Sequence, residues 1–537
     1  MDVLFVVPSL SPHLLQECRG SLQLAMILKS NGISVDLLRY WQVDSQLDDF
    51  TRLVTNIVKH VEKLKPRIVS FYCRCDVYHI VLSVSKELKT RHPDMTILLG
   101  GPQAELSAGE TLRNFPCVDY ICCGEGETTI LPFVSSILLG RPDLSVDGLT
   151  YIREDGVIIQ NQLPRLIDDN YTIDYDYYQL IPQFVIENSG QTTIEVGRGC
   201  PFNCSFCSSK TFWKRRFRLR NIDDILSEVR YIYETYNIKA MRFEHDIFTV
   251  DKRRLRMFCE RLIESGMPIS WRCSSRTDTV DDETILLMRK AGLKSIYFGI
   301  ETGSERMQNI IHKGLSIEKT KRILQLCVNA GVEVTASFMY GFPQERETDV
   351  RDTLNLICNL LDMGVQRVQA HLVDFLQGTE LFDEYESELT FDGRISNIAT
   401  RFGISECSFI REHSDIFSAF FDYPSELRFM LDWLEDFIRC YMRFRRSMSQ
   451  VRALMGGDAM AMYKKFRSVA SDTARQRARK GRENEGLLIC KARDLRKNDI
   501  EMVSEFYSRF DEGTMGGVFI VFAEEVCGGG KSTRQYP

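Results

Sequence analysis

Two series of short apolar runs, separated by helical patterns, constrain the fold of this chain most strongly. The first series lies within residues 1–145 and includes VLFVV, ISVDLL, RIVSFY, TILLGG and VDYICC. The second begins near residue 192 and includes TTIEVG, AMRFEH, PISWRCS, SIYFGI, EVTASFMYG and RVQAHLV. Such alternation predicts parallel strands covered by helices. We therefore predict an α/β protein, with a doubly wound, Rossmann-like sheet followed by a partial (βα)6 TIM barrel.

The other segments of the chain interrupt or follow these two series. Residues 146–190 hold a candidate hairpin, LTYIREDGVIIQ, and are predicted to be a connector between the sheet and a barrel at 191–385. The segment LRFMLDWLEDFIRCYMRFRRSM is amphipathic, so we predict a mostly helical substrate or cap region at 386–520. Residues 521–537 are predicted to form a tail.

Composition restricts the partners and the compartment. The 537 residues carry 68 basic and 74 acidic side chains, and this net charge of −6 argues against nucleic acid as the main partner. No apolar run is long enough for a membrane span, and the start, MDVLFVVPSL, lacks a basic leader. Seventeen cysteines, an odd number, favour free thiols in a reducing compartment. We therefore expect a cytoplasmic enzyme without a membrane span.

Three cysteines lie close together in GRGCPFNCSFC, at Cys200, Cys204 and Cys207. A structural zinc site takes four ligands, and no fourth Cys or His follows at a suitable spacing. Iron–sulfur clusters also use cysteine thiolates. Three thiolates on a [4Fe–4S] cluster leave one iron open to another ligand.

This loop resembles the signature of radical S-adenosylmethionine (radical SAM) enzymes, both in its spacing and in its place after the first barrel strand. The resemblance implies that the three cysteines bind a [4Fe–4S] cluster whose open iron chelates SAM. It also implies that reduction cleaves SAM to methionine and a 5′-deoxyadenosyl radical. Phe206 matches the family's aromatic residue near the adenine.

Two further segments resemble the strand ends of the same family. FEHDIFTVD matches the second-strand segment and offers Glu244 and Asp246 as SAM-binding candidates. RCSSRTD matches the third, where Arg276 is a candidate partner for the SAM carboxylate, since its planar fork donates two hydrogen bonds. The alternative for Arg276 is an ion pair with Asp278.

The fourth strand end also matches, and ASFMYGFPQE and HLVDFLQGTELF match the fifth and sixth. SIYFGIETGSE offers Gly299 for close approach of the cofactor and Glu301 as an acceptor from the SAM ribose or amino group. The alternative for Glu301 is a carboxylate favoured by the dipole at a helix N-terminus. The family's sixth-strand loop usually carries a proline before Gly-Thr, and this chain has Gln377 there.

The N-terminal series has no GxGxxG, which argues against a dinucleotide. Its turns FYCRCDVYH, LLGGPQAE and CCGEGETT follow successive strands and resemble the cobalamin-binding domain of one radical SAM subgroup. The Asp-x-His-x-x-Gly motif of many cobalamin domains is missing, because Asp76 and His79 have the wrong separation. We therefore expect cobalamin without a protein His on cobalt. The residues that the resemblance places near the corrin are Arg74, Tyr78, Gly100, Gly101, Gly124, Glu125 and Gly126.

Together these features predict a cobalamin-dependent radical SAM enzyme that methylates an unactivated carbon, or phosphorus, of a small-molecule or natural-product substrate. An electron donor such as flavodoxin or ferredoxin is the expected partner. The basic run WKRRFRLR offers it a docking patch, but a solvated surface is the simpler interpretation. The alternatives are a radical SAM enzyme for cyclisation, rearrangement or bond cleavage, a non-catalytic iron–sulfur redox sensor, and a tRNA methylthiolation enzyme. The last is disfavoured, because cysteines for a second cluster and an RNA-binding C-terminus are not recognisable.

Overall fold

The computed structural model describes residues 1–7, 19–39, 50–180, 190–391, 407–431, 433–468 and 470. The predicted tail and the part of the predicted helical region beyond 470 lie outside the described residues. Contacts divide the chain into two compact units. The first comprises 1–274, 290–292 and 374–422, and the second comprises 275–289, 293–373 and the chain from 423 onward.

The first unit begins with a seven-stranded sheet of order β2-β1-β3-β4-β5-β6-β7. Strands β1 to β5 pair in parallel, whereas β6 and β7 add an antiparallel hairpin at one edge. The predicted connector boundary at residue 145 therefore falls inside this sheet. The strands are Val3–Val7 (β1), Val35–Arg39 (β2), Ile68–Tyr72 (β3), Thr96–Gly100 (β4), Tyr120–Cys122 (β5), Leu149–Ile152 (β6) and Ile158–Gln160 (β7).

Helices cover both faces of this sheet, as the near-continuous apolar strands require. On β1, Val3 and Phe5 pack in one hydrophobic cluster, while Leu4 and Val6 pack in another. The predicted doubly wound arrangement is thus confirmed. The helices are Arg19–Ser30 (α1), Phe50–Leu64 (α2), Tyr78–Arg91 (α3), Pro102–Leu106 (α4), Ala108–Asn114 (α5) and Ile130–Leu138 (α6).

The first unit also holds the first strands of the predicted barrel. Strand β11 pairs in parallel with β8 on one side and β12 on the other, and a short antiparallel pair, β9 with β10, follows β8. The strands are Gln191–Glu195 (β8), Gly197–Arg198 (β9), Arg218–Leu219 (β10), Ala240–Glu244 (β11) and Ser270–Ser275 (β12). The intervening helices are Ser209–Trp213 (α7), Ile222–Tyr236 (α8) and Lys252–Glu264 (α9).

The second unit continues the alternation with three more parallel strands. Strand β14 pairs with β13 and β15, and the register of β13 shifts between Gly299 and Glu301. The strands are Leu293–Glu301 (β13), Glu333–Tyr340 (β14) and Arg367–Leu372 (β15). The helices are Asp282–Lys290 (α10), Glu305–Ile310 (α11), Ile317–Asn329 (α12) and Glu347–Asp362 (α13). The predicted partial barrel of six βα repeats is confirmed.

The described chain after the last barrel strand consists mainly of short helices joined by turns. In the first unit it forms Glu380–Tyr385 (α14) and Cys407–Glu412 (α15). In the second it forms Glu426–Met430 (α16), Leu434–Arg443 (α17) and Arg445–Leu454 (α18), so the amphipathic segment is three short helices. Among the described helices, none has the length and hydropathy of a membrane span.

Candidate active site

The three cysteines lie on one loop, residues 199–217, which we call the cysteine loop. Strands β9 and β10 pair Arg198 with Arg218 and so bring the two ends of this loop together. Gly199 has a left-handed φ of 86°, and a Cβ there would lie 2.0 Å from the Arg216 carbonyl oxygen. Only glycine tolerates this conformation and this approach of two backbones. The glycine before Cys200 is therefore required by the closure of the loop.

The cysteine side chains are shielded from water. Cys204 is buried and Cys200 and Cys207 are half-buried, with the Cys207 amide donating to the Cys204 carbonyl at 3.2 Å. Burial raises the pKa of Cys200 to about 11 and also raises the pKa of Cys207. These thiols must lose a proton when they bind a metal. In the described part of the chain, no three His, Cys, Asp or Glu side chains already converge in the manner of a metal site.

Asp246, just after β11, lies beside the cysteine loop. Its carboxylate accepts from the Ser209 hydroxyl at 3.3 Å, and Ser209 follows Cys207 by two positions. Glu244, at the end of the strand, pairs instead with Arg242 at 2.6 Å. The structure thus brings Asp246, but not the Glu244 carboxylate, into contact with the loop. Phe206 is half-buried within the loop itself.

His245, between these two acids, was not singled out from the sequence. Its Nδ1 accepts from the Ile247 amide at 2.8 Å, so Nε2 carries the proton and donates to the Arg218 carbonyl at 3.3 Å. Burial lowers the pKa of His245 to about 4, which keeps the ring neutral. A Cβ on Gly197 would lie 2.5 Å from this ring. His245 therefore packs against both strands that close the cysteine loop.

The remaining SAM-binding candidates lie in the second unit, in a set of residues that we call the Arg276 group: Arg276, Asp278, Gly299, Glu301 and Lys313. Arg276 is buried and donates to both carboxylate oxygens of Asp278, at 2.9 and 2.8 Å. The predicted alternative ion pair is therefore formed. Arg276 also donates to the Lys313 carbonyl at 2.7 Å.

Glu301 ends β13 with a φ of 70°, which is rare for a residue other than glycine. Its carboxylate pairs with Lys313 at 2.9 Å, and both side chains are about nine-tenths buried. The next helix, α11, starts only at Glu305, so the helix-terminus alternative for Glu301 is wrong. A Cβ on Gly299 would lie 2.5 Å from the Glu301 carboxylate, so glycine leaves space for the ion pair. Lys313 was not identified from the sequence.

The glycine turns of the N-terminal sheet hold close approaches. Gly101 and Gly124 have positive φ. A Cβ on Gly101 would lie 2.9 Å from the Tyr72 ring, and a Cβ on Gly124 would lie 2.8 Å from Pro164. A Cβ on Gly126 would lie 3.0 Å from the Leu24 side chain, whereas a Cβ on Gly100 would make only an ordinary contact with Cys122. These turns leave no space for larger side chains at three of the four predicted glycines.

The other predicted corrin neighbours have partners within the protein. Arg74 pairs with Asp76 at 2.6 Å and is a quarter exposed. Tyr78 is fully buried, and its hydroxyl bonds Thr111 at 2.9 Å, so a corrin contact would require this packing to open. Glu125 is buried and pairs with Arg218 at 2.9 Å and Arg198 at 3.0 Å, at the two ends of the cysteine loop.

His79 lies in the apolar core and not in a glycine turn. Its ring stacks on Phe50 at 5.7 Å and contacts the edges of Phe417 and Phe420. Burial lowers the pKa of His79 to about 3. This surrounding of aromatic rings agrees with the expectation that His79 is not a cobalt ligand.

Comparisons with known proteins identify the class to which these features belong. A model of the radical SAM superfamily matches residues 194–357, and a model of the B12-binding domain matches residues 16–133. An uncharacterized methyltransferase of Pyrococcus horikoshii is 30% identical over 344 residues, which cover 64% of this chain and 73% of that protein. The chain belongs to the cobalamin-binding-domain-containing radical SAM family.

Other relatives extend this comparison. An anaerobic magnesium-protoporphyrin IX monomethyl ester cyclase of Rubrivivax gelatinosus is 27% identical over 345 residues, covering 62% of this chain and 60% of the cyclase. The match thus spans less than two thirds of that relative. The solved structure of OxsB, a cobalamin-dependent S-adenosylmethionine radical enzyme with aqua-cobalamin and S-adenosylmethionine bound, has a TM-score of 0.58 at 15% identity. The superposition covers 98% of this chain and 79% of the OxsB chain, and shows a shared fold.

This chain is therefore a radical SAM enzyme, and the cofactors of its family are a [4Fe–4S] cluster, SAM and cobalamin. The cysteine loop fits an iron–sulfur cluster, because it carries three sulfur donors within eight positions on a backbone closed by glycines. Like other radical SAM enzymes, it needs a substrate and a reductant.

Proposed function

We propose that this enzyme methylates an unactivated carbon, or phosphorus, of a small-molecule or natural-product substrate. The observation that carries the proposal is the presence of a three-cysteine loop after the first barrel strand and a cobalamin-type domain in one chain. The likeness to a methyltransferase over 73% of that relative supports the same reaction. When bound, the three cofactors supply reductive cleavage of SAM and a transferable methyl group.

In this proposal, Cys200, Cys204 and Cys207 are the ligands of the cluster. The burial of Cys204 and the partial burial of Cys200 and Cys207 limit the access of bulk water, which would protect a reactive radical from side reactions. Phe206, within the same loop, and Asp246, beside it, are proposed SAM contacts. Glu244 remains a proposed SAM contact that must leave its pairing with Arg242 to reach the cofactor.

The Arg276 group supplies the proposed contacts to the charged end of SAM and to its ribose. Arg276 is held rigidly by Asp278, and Glu301 is held by Lys313. Such pairing reduces the freedom of each side chain before the ligand arrives, which lowers the entropic cost of binding. Gly299 leaves the space in which Glu301 and Lys313 meet.

In the N-terminal domain, the proposed corrin contacts are Arg74 and the glycine turns at 100–101 and 124–126. Tyr78 and Glu125 already have buried partners, so we assign them to supporting these turns. The proposed lower face of the cobalt has no protein His, in agreement with the burial of His79 among aromatic rings.

Electrons come from a low-potential donor such as flavodoxin or ferredoxin. The surface of the cysteine loop carries exposed Lys214, Arg215 and Arg216, whereas Arg218 and Arg220 of the same basic run are buried. Three exposed cations on this loop favour an acidic partner protein. The basic run therefore has two parts, of which only the first is available to a partner.

The reaction uses SAM in two ways, and this defines the experiment. One SAM would supply the methyl group that the product gains, and would leave S-adenosylhomocysteine. A second SAM, cleaved with one electron, would give methionine and a 5′-deoxyadenosyl radical, which takes a hydrogen atom from the substrate and becomes 5′-deoxyadenosine. The substrate radical would then form the bond to the methyl group, and a further electron from the donor would complete the cycle. Incubation with substrate, reductant and methyl-labelled SAM should therefore yield both by-products in similar amounts, together with a labelled product.

The second candidate is a cyclising, rearranging or bond-cleaving reaction, which the 27% identity to the cyclase favours. In that case only 5′-deoxyadenosine accumulates and the product gains no methyl group. This outcome would reject methyl transfer while leaving the cofactors in place. Failure to cleave SAM under reducing conditions would instead favour the non-catalytic iron–sulfur redox sensor.

A further inference from the structure

Both ends of the cysteine loop are tied to one carboxylate of the N-terminal sheet. Arg198 precedes the loop and Arg218 follows it, and Glu125 lies in the turn after β5. Arg198 Nη1 donates to Glu125 at 3.0 Å, and Arg218 Nη1 donates to both oxygens of Glu125, at 3.0 and 2.9 Å. Because Glu125 belongs to a proposed corrin turn, a single buried side chain joins the corrin turn to the cysteine loop.

Arg198 has two further partners in the N-terminal domain, Glu127 and Gln23, and one on the barrel strand β8, Glu195. Its Nη2 lies 2.7 Å from Glu127 and donates to Gln23 at 2.8 Å, while Nε donates to Glu195 at 2.9 Å. Glu127 lies in the turn that holds Glu125, and Gln23 lies on α1. The guanidinium is nine-tenths buried, so water does not weaken these contacts.

The other side of the cysteine loop also reaches the N-terminal domain, through the sixth-strand loop. Gln103 on α4 donates to the Gln377 side chain at 2.9 Å. Thr211 of the cysteine loop donates to the Gly378 carbonyl at 2.5 Å, and the Leu381 amide donates to the Ser205 carbonyl at 3.0 Å. Gln377 stands where the family usually has proline, and here it forms a side-chain bridge that proline cannot make.

The charges in this region stabilise one another. Burial alone would raise the pKa of Glu125, but hydrogen bonds from Arg218 and the charge of Arg198 outweigh it, and the net pKa is lowered. Glu125 is therefore ionised at neutral pH. A buried ion pair with several hydrogen bonds fixes geometry, because removing one partner leaves an uncompensated charge.

We propose that Glu125, Arg198 and Arg218 form a clamp that positions the cysteine loop against the corrin turn, so that cobalamin binding and cluster assembly favour each other. This rests on the proposed function, in which the loop holds the cluster and the turn holds the corrin. Movement of Glu125 on corrin binding changes the position of both ends of the loop. Coupling between two sites is reciprocal, so each cofactor raises the affinity for the other by the same factor.

The test measures the affinity for hydroxocobalamin, by titration of its visible spectrum, in two forms of the protein. One form is reconstituted anaerobically with iron and sulfide, and the other carries alanine at Cys200, Cys204 and Cys207. With Glu125 and Arg198 unchanged, we expect the reconstituted form to bind the corrin about tenfold more tightly than the three-alanine form, within the usual range of such couplings. The ratio of these two affinities measures the coupling. In Glu125→Gln, this ratio should fall to about one.

The matched control is Glu110→Gln, which removes an exposed ion pair with Arg113 in the same domain and should leave the ratio at about ten. Where Glu125→Gln does not give folded protein, Arg198→Lys serves instead, since lysine keeps the charge but loses the planar fork. It should lower the ratio at least threefold, with unchanged iron binding per folded molecule at saturating iron.

The outcomes separate the clamp from the proposed function. A chain that takes up neither corrin nor iron rejects the proposed function. A chain that binds both cofactors with a ratio of one rejects the clamp and leaves the function intact. A ratio of about ten that persists in both Glu125→Gln and Arg198→Lys also rejects the clamp, because the coupling then runs through other residues.

Discussion

The cysteine loop and the Arg276 group are both built at ends of barrel strands, yet they are held in different ways. The loop depends on partners distant in the sequence, such as Glu125, which is 93 positions from Arg218. The Arg276 group depends on near neighbours, since Asp278 follows Arg276 by two positions and Lys313 follows Glu301 by 12. Support from residues that are near in the sequence is easier to predict from a motif. Support from distant residues is seen only in the folded structure, where separate domains pack together.

The largest expected effect tests the loop itself. Replacing Cys200, Cys204 and Cys207 together by alanine removes every sulfur ligand proposed for the cluster. Anaerobically reconstituted protein should hold about four irons and the variant almost none, by iron analysis and absorbance. Replacing Cys259, Cys327 and Cys358, three buried thiols outside the loop, should leave iron content unchanged. Equal iron content in the loop variant would end the cluster assignment.

Two glycines sharpen the contrast between the regions. Gly199→Ala places a Cβ 2.0 Å from a backbone oxygen at a left-handed φ, and should cost at least about 3 kcal/mol of unfolding free energy. Gly299→Ala meets only the ends of Glu301 and Lys313, which can move, and should cost about 1 kcal/mol. Chemical denaturation measures both.

The same two variants separate iron binding by the cysteine loop from SAM binding by the Arg276 group. Gly199→Ala should reduce iron uptake, whereas Gly299→Ala should retain iron and weaken SAM binding about tenfold, by calorimetric titration. If the two variants lose the same cofactor in the same proportion, the two regions do not have the separate roles proposed for them.

The buried pair of Glu301 and Lys313 gives the next effect. Glu301→Gln leaves the Lys313 ammonium buried without a carboxylate, and we expect a loss of up to about 3 kcal/mol of unfolding free energy together with weaker SAM binding. Asp282→Asn breaks the exposed pair with Arg322 in the same unit and should change stability by less than about 0.5 kcal/mol. A similar loss in both variants would mean that burial does not strengthen the first pair.

The effect that is smallest at neutral pH concerns two buried histidines, and it grows as the pH falls. The pKa is lowered by burial to about 4 for His245 and about 3 for His79, below the unfolded value of about 6.5. Between these values the unfolded chain binds protons that the folded chain does not, so stability contributed by each neutral ring is lost as pH falls from about 6.5. His245→Asn and His79→Phe should each reduce this loss, by up to about 1.4 kcal/mol per pH unit.

Only one of these variants should affect the cysteine loop. His245 donates to the Arg218 carbonyl, whereas His79 packs among Phe50, Phe417 and Phe420. His245→Asn should therefore lower iron uptake at pH 7 and His79→Phe should not. Denaturation curves from pH 4 to 7 and iron analysis test the two statements separately, and reduced iron uptake in His79→Phe would contradict the second.

Local patterns in the sequence were sufficient to predict the class of fold and to place three cysteines on one loop after the first barrel strand. Strand–helix alternation has a period that is read within short windows, and the spacing of Cys200, Cys204 and Cys207 lies within eight positions. The glycine at 199 and the pairing of Arg276 with Asp278 are local in the same sense. These features required no knowledge of how distant segments meet.

Tertiary structure alone decided what supports these residues. Glu125 in a proposed corrin turn pairs with Arg198 and Arg218, His245 bonds the strand that closes the loop, and Gln377 bridges to Gln103. Each contact joins residues from different elements, and neither the periodicity nor the spacing of a chain specifies which buried charges will face each other. The cost of burying an unpaired charge selects such partners, and that cost arises only when the domains pack together.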